Sequence, residues 1–164
     1  MNIDTLWSSA SHPAVLPDDE VHVWRASLDC EPSIFANLEA ALSNDEIVRA
    51  SRFRFRHDRN RFVAGHGILR TLLGSYLNKP PASLNFKYGP WGKPALQIED
   101  LGMPAEFNLS HSHGLAVYAF AFGRQVGIDL EPIRPEFSGG EIADRYFSSR
   151  EVAALRALPQ HLQA

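Results

Sequence analysis

Apolar and polar residues alternate over Val21-His22-Val23-Trp24, and this period of two predicts a strand. The residues before it, 1–20, carry Pro13, Pro17, Asp18 and Asp19 and read as a loose leader. Residues 33–42 and 44–51 predict two short helices, the second opened by the cap-forming side chains of Ser43-Asn44-Asp45-Glu46. A longer helix is expected from a cap at Asp58 to about Leu77. Phe62, Ile68, Leu69, Leu72, Leu73 and Tyr76 recur there with a period near 3.6. Gly65, Gly67 and Gly74 weaken that helix and suggest close packing. Lys79-Pro80-Pro81 ends it. Leu84-Asn85-Phe86 is a short strand candidate, and "YGPWGKP" (88–94) reads as a loop. Strands are expected at 107–109, 115–122 and 125–131, the last two joined by a hairpin at Phe122-Gly123-Arg124-Gln125. Helices are expected at 141–146 and 149–158.

The pattern repeats. "VHVWRASLDCE" starts at 21 and "VGIDLEPIRPE" at 126, while "LSNDEIVRA" starts at 42 and "FSSREVAAL" at 147. Strand and capped helix recur in the same order at one offset. The expected fold is α+β, with two similar αβ halves related by pseudo-twofold symmetry, at 21–105 and 106–164. The first half continues into its long helix. The counterpart of that helix would begin near 163, so the second half reads as truncated.

Composition narrows the setting. Of 164 residues, 45% are hydrophobic and 21% charged, enough for a packed core. The net charge of −3 argues against general nucleic-acid binding. A single cysteine, Cys30, excludes an internal disulfide and suits a reducing compartment. No apolar run approaches the roughly 20 residues of a membrane span. The start of the chain lacks the layout of a signal peptide. A cytoplasmic protein with no membrane partner is expected.

Four groups could carry chemistry. In "GIDLE", strand alternation puts Asp129 and Glu131 on one face, about 7 Å apart. Two such carboxylates suit a hard cation such as Mg²⁺, which takes one or two carboxylates plus phosphate oxygens and water. The same alternation also fits a solvated edge strand. In "NLSHSHG", His111 and His113 form a His-x-His pair, but no other histidine completes a zinc motif. Ser110, His111 and Ser112 could instead donate to an anion, or form a plain polar loop. A Ser-His nucleophile is disfavoured because adjacent residues on an extended chain point apart. "RASRFRFRHDRNR" (49–61) concentrates six arginines, a patch suited to phosphates or to a solvated face. "YGPWGKPAL" places Lys93 on a Gly/Pro loop. Together they suit a ligand with several phosphates and a magnesium ion.

In that order, "RFRFRHDRNRFVAGHGILR", "YGPWGKPAL", "FNLSHS", "VGIDLE" and "RYFSSREVAAL" resemble the 4′-phosphopantetheinyl transferases of the two-halved, surfactin-synthetase-activating type. The resemblance covers about residues 40 to 158. It implies transfer of phosphopantetheine from coenzyme A to a serine of an acyl or peptidyl carrier protein, with coenzyme A between two halves. It makes Asp129 and Glu131 ligands of Mg²⁺ on the pyrophosphate. It aims His111, Arg61 and the Lys93-Pro94 loop at the 3′-phosphoadenosine end and puts Ser110 near the phosphates.

The chain departs from that family in one respect. The family carries a later helix with a Trp-x-x-Lys-Glu pattern, whose Glu supplies a metal ligand or the general base and whose Lys contacts phosphate. No such pattern occurs here. No general base is therefore assigned within the chain. Little or no transferase activity is expected of the chain as given, with apolar surface exposed on the strands at 115–122 and 126–130. The alternatives are a non-catalytic coenzyme A-binding remnant and an arginine-patch nucleic-acid binder.

Overall fold

The alternation after Val21 becomes β1 (His22–Ser27), and the apolar run after Gly114 becomes β5 (Leu115–Phe122). These strands pair antiparallel, with Trp24 opposite Tyr118. On its other edge β5 pairs antiparallel with β4 (Ala105–Ser112). The sheet order is therefore β1-β5-β4, and strands from either side of residue 105 share it. The computed structural model describes residues 15–89, 93–97, 105–132 and 139–162. Residues up to Leu130 form one compact unit and those from Glu131 on form another.

In the first unit, α1 (Pro32–Ala40), α2 (Asn44–Ser51) and α3 (Arg56–Leu77) follow β1. Ser43 and Glu46 cap α2 reciprocally, each side chain taking a backbone N–H of the other. The long helix α3 begins two residues before Asp58, which lies in its first turn and contacts His57 at 3.0 Å instead of capping the helix. It ends before Lys79-Pro80-Pro81, as the sequence implies, and Asn78 takes the left-handed conformation at its end. Leu69 and Leu73 of α3 pack on Phe107, Tyr118 and Phe120 of the sheet. The Tyr118 hydroxyl, wholly buried, donates to the Gly65 carbonyl at 3.1 Å. At Gly67 an added Cβ would lie 2.6 Å from the Leu38 carbonyl oxygen, so glycine lets α1 and α3 touch backbone to backbone. Leu16, inside the segment expected to be loose, is buried in this core.

Three expectations need correction. A second sheet pairs β2 (Phe86–Tyr88) with β3 (Pro94–Leu96), so the short strand lies later than 84–86 and the expected loop at 88–94 begins and ends in strand residues, Tyr88 and Pro94. Residues 90–92 of that loop lie outside the described residues. The strand expected at 125–131 carries no ladder. The reason is topological: both edges of β5 are already taken by β1 and β4, so no hairpin partner remains. Finally, β5 is buried from Ala116 to Ala121 rather than exposed, because it is the central strand.

The second unit contains α4 (Gly139–Tyr146) and α5 (Ser149–Arg156), as expected. Ser148 and Glu151 form a complete capping box on α5, and Arg156 of α5 pairs with Asp144 of α4 at 2.6 Å. Tyr146 and Phe147 are exposed.

Candidate functional site

Edge strand β4 organises the candidate residues. Its two-residue turn to β5 uses His113 (φ 49°) and Gly114 (φ 80°), both left-handed, as a tight hairpin turn requires. The "SHSHG" stretch is thus the end of a strand and its turn. Side chains alternate along β4, so Ser110 and His111 leave it on opposite sides.

On the side shared with α3, His111 and Arg61 line one cavity of about 410 Å³ with Phe62, His66 and Leu109. The structure therefore brings together two residues that are fifty positions apart. The Arg61 guanidinium is engaged: Nε and Nη2 donate to the two carboxylate oxygens of Asp29, each at 2.9 Å. These hydrogen bonds hold the Asp29 carboxyl below its usual range and raise Arg61 in turn. The pair rests against Gly114, where an added Cβ would lie 2.7 Å from Asp29 Oδ2 and 2.9 Å from Arg61 Nη2. Asp29 was not singled out in the sequence. It follows β1 without a spacing motif, and only the return of the β4–β5 turn brings Arg61 and Gly114 to it. Beside it, Cys30 is half-buried; burial first, and then the Asp29 charge, push its thiol pKa up, which makes it a poor nucleophile.

On the opposite side of β4, the Ser110 hydroxyl donates to Asp129 Oδ1 at 2.8 Å and accepts the Leu130 N–H at 3.1 Å. Ser110 therefore fixes the Asp129 carboxylate. Although 125–131 is not a strand, its alternation survives as burial. Gly127, Asp129 and Glu131 are exposed, while Ile128 and Leu130 are half-buried. Lys93 and Pro94 line a second cavity of about 460 Å³ with Lys87, Tyr88 and Phe107, and Lys93 Nζ donates to the Val126 carbonyl at 3.3 Å. The candidate residues thus fall into three groups around β4: Arg61 with His111, Ser110 with Asp129, and Lys93 with Pro94.

Among the described residues no group of three or more His, Cys, Asp or Glu is placed to hold a metal. Asp129 is an exposed carboxylate held by Ser110, the kind of oxygen ligand that Mg²⁺ takes together with water and phosphate oxygens. No helix among the described residues is long and apolar enough to cross a membrane.

A holo-(acyl-carrier-protein) synthase from Bacillus anthracis, solved in complex with CoA (3′,5′-ADP), shares this fold. It aligns with 62% of this chain and 93% of its own, at a TM-score of 0.50 and 16% identity. The sequence comparisons go further. The profile of the 4′-phosphopantetheinyl transferase, N-terminal, family matches residues 24–122, and the chain belongs to that family. It is 45% identical over 153 residues to the 4′-phosphopantetheinyl transferase HetI of Nostoc sp., covering 93% of this chain and 65% of that protein. A 4′-phosphopantetheinyl transferase of Bacillus subtilis is 30% identical over 119 residues, covering 72% and 50% respectively. The chain spans about half to two thirds of the length of these curated relatives.

Proposed function

We propose that the protein transfers 4′-phosphopantetheine from coenzyme A to a serine of an acyl or peptidyl carrier protein, with Mg²⁺, in the cytoplasm. The observation that carries this reading is the convergence of Arg61 and His111 on one cavity, beside a strand whose Ser110 holds Asp129. Family membership and the relatives' activities support it. The single cysteine suits the compartment.

In the reaction the carrier serine oxygen attacks the β-phosphorus of coenzyme A. A new P–O ester bond forms and the bond to adenosine 3′,5′-bisphosphate breaks. The serine proton passes to a base to which no residue is assigned. Asp129 and Glu131 would hold Mg²⁺, which when bound neutralises pyrophosphate charge and eases departure of the leaving oxygen. Ser110 orients Asp129 for that task. Arg61 and His111 take the 3′-phosphate, Arg61 with its guanidinium oriented by Asp29. Lys93 and the Pro94 backbone flank the nucleotide. Catalysis then rests on positioning and charge.

Mass spectrometry of an apo carrier protein incubated with the chain, coenzyme A and Mg²⁺ tests the reading. The expected result is a slow mass gain of one phosphopantetheine, abolished by Asp129→Ala. Coenzyme A binding without any mass gain favours a binding remnant. Arg61→Ala is expected to weaken coenzyme A more than dephospho-coenzyme A in calorimetry. Equal losses would remove the 3′-phosphate role.

A further inference from the structure

His66 joins a buried carboxylate to the cavity that holds Arg61 and His111. Its Nδ1 lies 2.9 Å from Oε1 of Glu46, which is buried. Burial raises the Glu46 carboxyl, but hydrogen bonds from His66 and Ser43 outweigh it and take the pKa to about 2. The group is therefore a carboxylate at neutral pH and can only accept, so His66 Nδ1 carries a hydrogen and donates it. The other nitrogen, Nε2, makes no hydrogen bond among the described residues. None of their buried side-chain nitrogens or oxygens lacks a partner, so Nε2 lies open. The open space that His66 borders is the cavity of about 410 Å³, and the Phe62 ring, its centroid 4.2 Å away, packs against the imidazole.

The charges around His66 are already matched. Arg70 Nε also donates to Glu46, and Tyr88 of β2 reaches the same carboxylate at 3.5 Å. Asp58, on the cavity wall, contacts His57 at 3.0 Å, and Asp29 is taken by Arg61. His113, also on the wall, is bonded to the Ser112 hydroxyl at 3.0 Å. A proton added at Nε2 would thus place a positive charge beside Arg61 that an entering anion can neutralise.

We propose that His66 is a third ligand of the coenzyme A 3′-phosphate: Glu46 holds its Nδ1, and Nε2, on taking up a proton from solvent, donates a hydrogen bond to a phosphate oxygen. The inference rests on the coenzyme A reading. A phosphate monoester offers three acceptor oxygens and close to two negative charges at neutral pH, room for a donor beyond Arg61 and His111. Unprotonated, Nε2 would turn a lone pair toward the anion, so binding and protonation are coupled. Dephospho-coenzyme A lacks the group and has nothing to couple.

Calorimetry on the 164-residue chain at about pH 8, where an ordinary imidazole is neutral, reads affinity and proton uptake together when run in two buffers of different ionisation enthalpy. H66N keeps an N–H donor for Glu46 and removes the nitrogen that faces the cavity. It is expected to bind coenzyme A about tenfold or more weakly, to bind dephospho-coenzyme A unchanged, which also shows that it is folded, and to take up less proton with coenzyme A. Should H66N not fold, H66Q, which presents a neutral amide, is expected to show the same fall in proton uptake. If the variant weakens both ligands equally or neither, His66 serves only Glu46 and the proposal is overturned. Undiminished proton uptake in the variant assigns the proton to another group and overturns it too. If the unaltered chain binds both ligands equally well, the 3′-phosphate subsite and this inference fall while coenzyme A binding stands. If it binds neither, the coenzyme A reading itself falls.

Discussion

Helices α2 and α5 open with the same device, a serine cap and a glutamate three residues on, yet the two glutamates have different fates. Glu151 accepts from the Ser148 backbone N–H at 2.8 Å and from the Ser148 hydroxyl at 2.7 Å, and it is exposed. Glu46 makes the same two contacts with Ser43 and is only 2% exposed. Its oxygens also meet His66 Nδ1 at 2.9 Å and Arg70 Nε, both from α3. Arg70, 1% exposed, also donates from Nη1 to the Pro81 and Leu84 carbonyls, each at 2.9 Å. One local code thus caps a helix in one unit. In the other it also anchors a buried polar network that ties α2 and α3 to the segment before β2. A capping glutamate becomes structural when a packed neighbour surrounds it with donors.

The largest expected effect separates the two. Glu46→Ala leaves the Arg70 charge buried and unpaired and is expected to cost about 3–5 kcal/mol in urea unfolding. Glu151→Ala is expected to leave the main transition where it is. Equal shifts for both would break the comparison.

Acid sharpens it. Burial would raise the Glu46 pKa, but hydrogen bonds from His66 and Ser43 and the charges of Arg70 and His66 outweigh it, taking the carboxyl from 4.5 to about 2. A depressed folded pKa contributes stability that is complete above the unfolded value and is lost as pH falls through the folded one. About 3 kcal/mol should therefore disappear between pH 4.5 and about 2. Glu46→Gln is expected to flatten this limb of a denaturation-versus-pH profile, while Glu151→Gln is not.

The packing of α3 can be probed without touching a charge. Gly67→Ala drives a methyl group against the Leu38 carbonyl and is expected to cost about 1–3 kcal/mol by thermal unfolding. The smallest effect is at the caps. Ser43→Ala is expected to cost about 1 kcal/mol globally, whereas Ser148→Ala should show only as faster amide exchange in the first turn of α5.

Much of the molecule was legible along the chain, because the signals that wrote it act over a few residues. Both capping boxes, the stop of α3 at its prolines, the strands β1 and β5 taken singly, and the outward period of Asp129 and Glu131 all follow from nearest-neighbour sterics and hydrogen bonds. Family motifs pointed to Arg61 and His111. What they touch was not written locally. Only tertiary structure decided that Arg61 is shared with Asp29, that Ser110 holds Asp129, and that Glu46 is buried with Arg70. It also decided that residues 125–131 carry no ladder, because a strand needs a free edge and β1 and β4 occupy both edges of β5. Edge availability and burial belong to the assembled sheet, and no window of the sequence contains them.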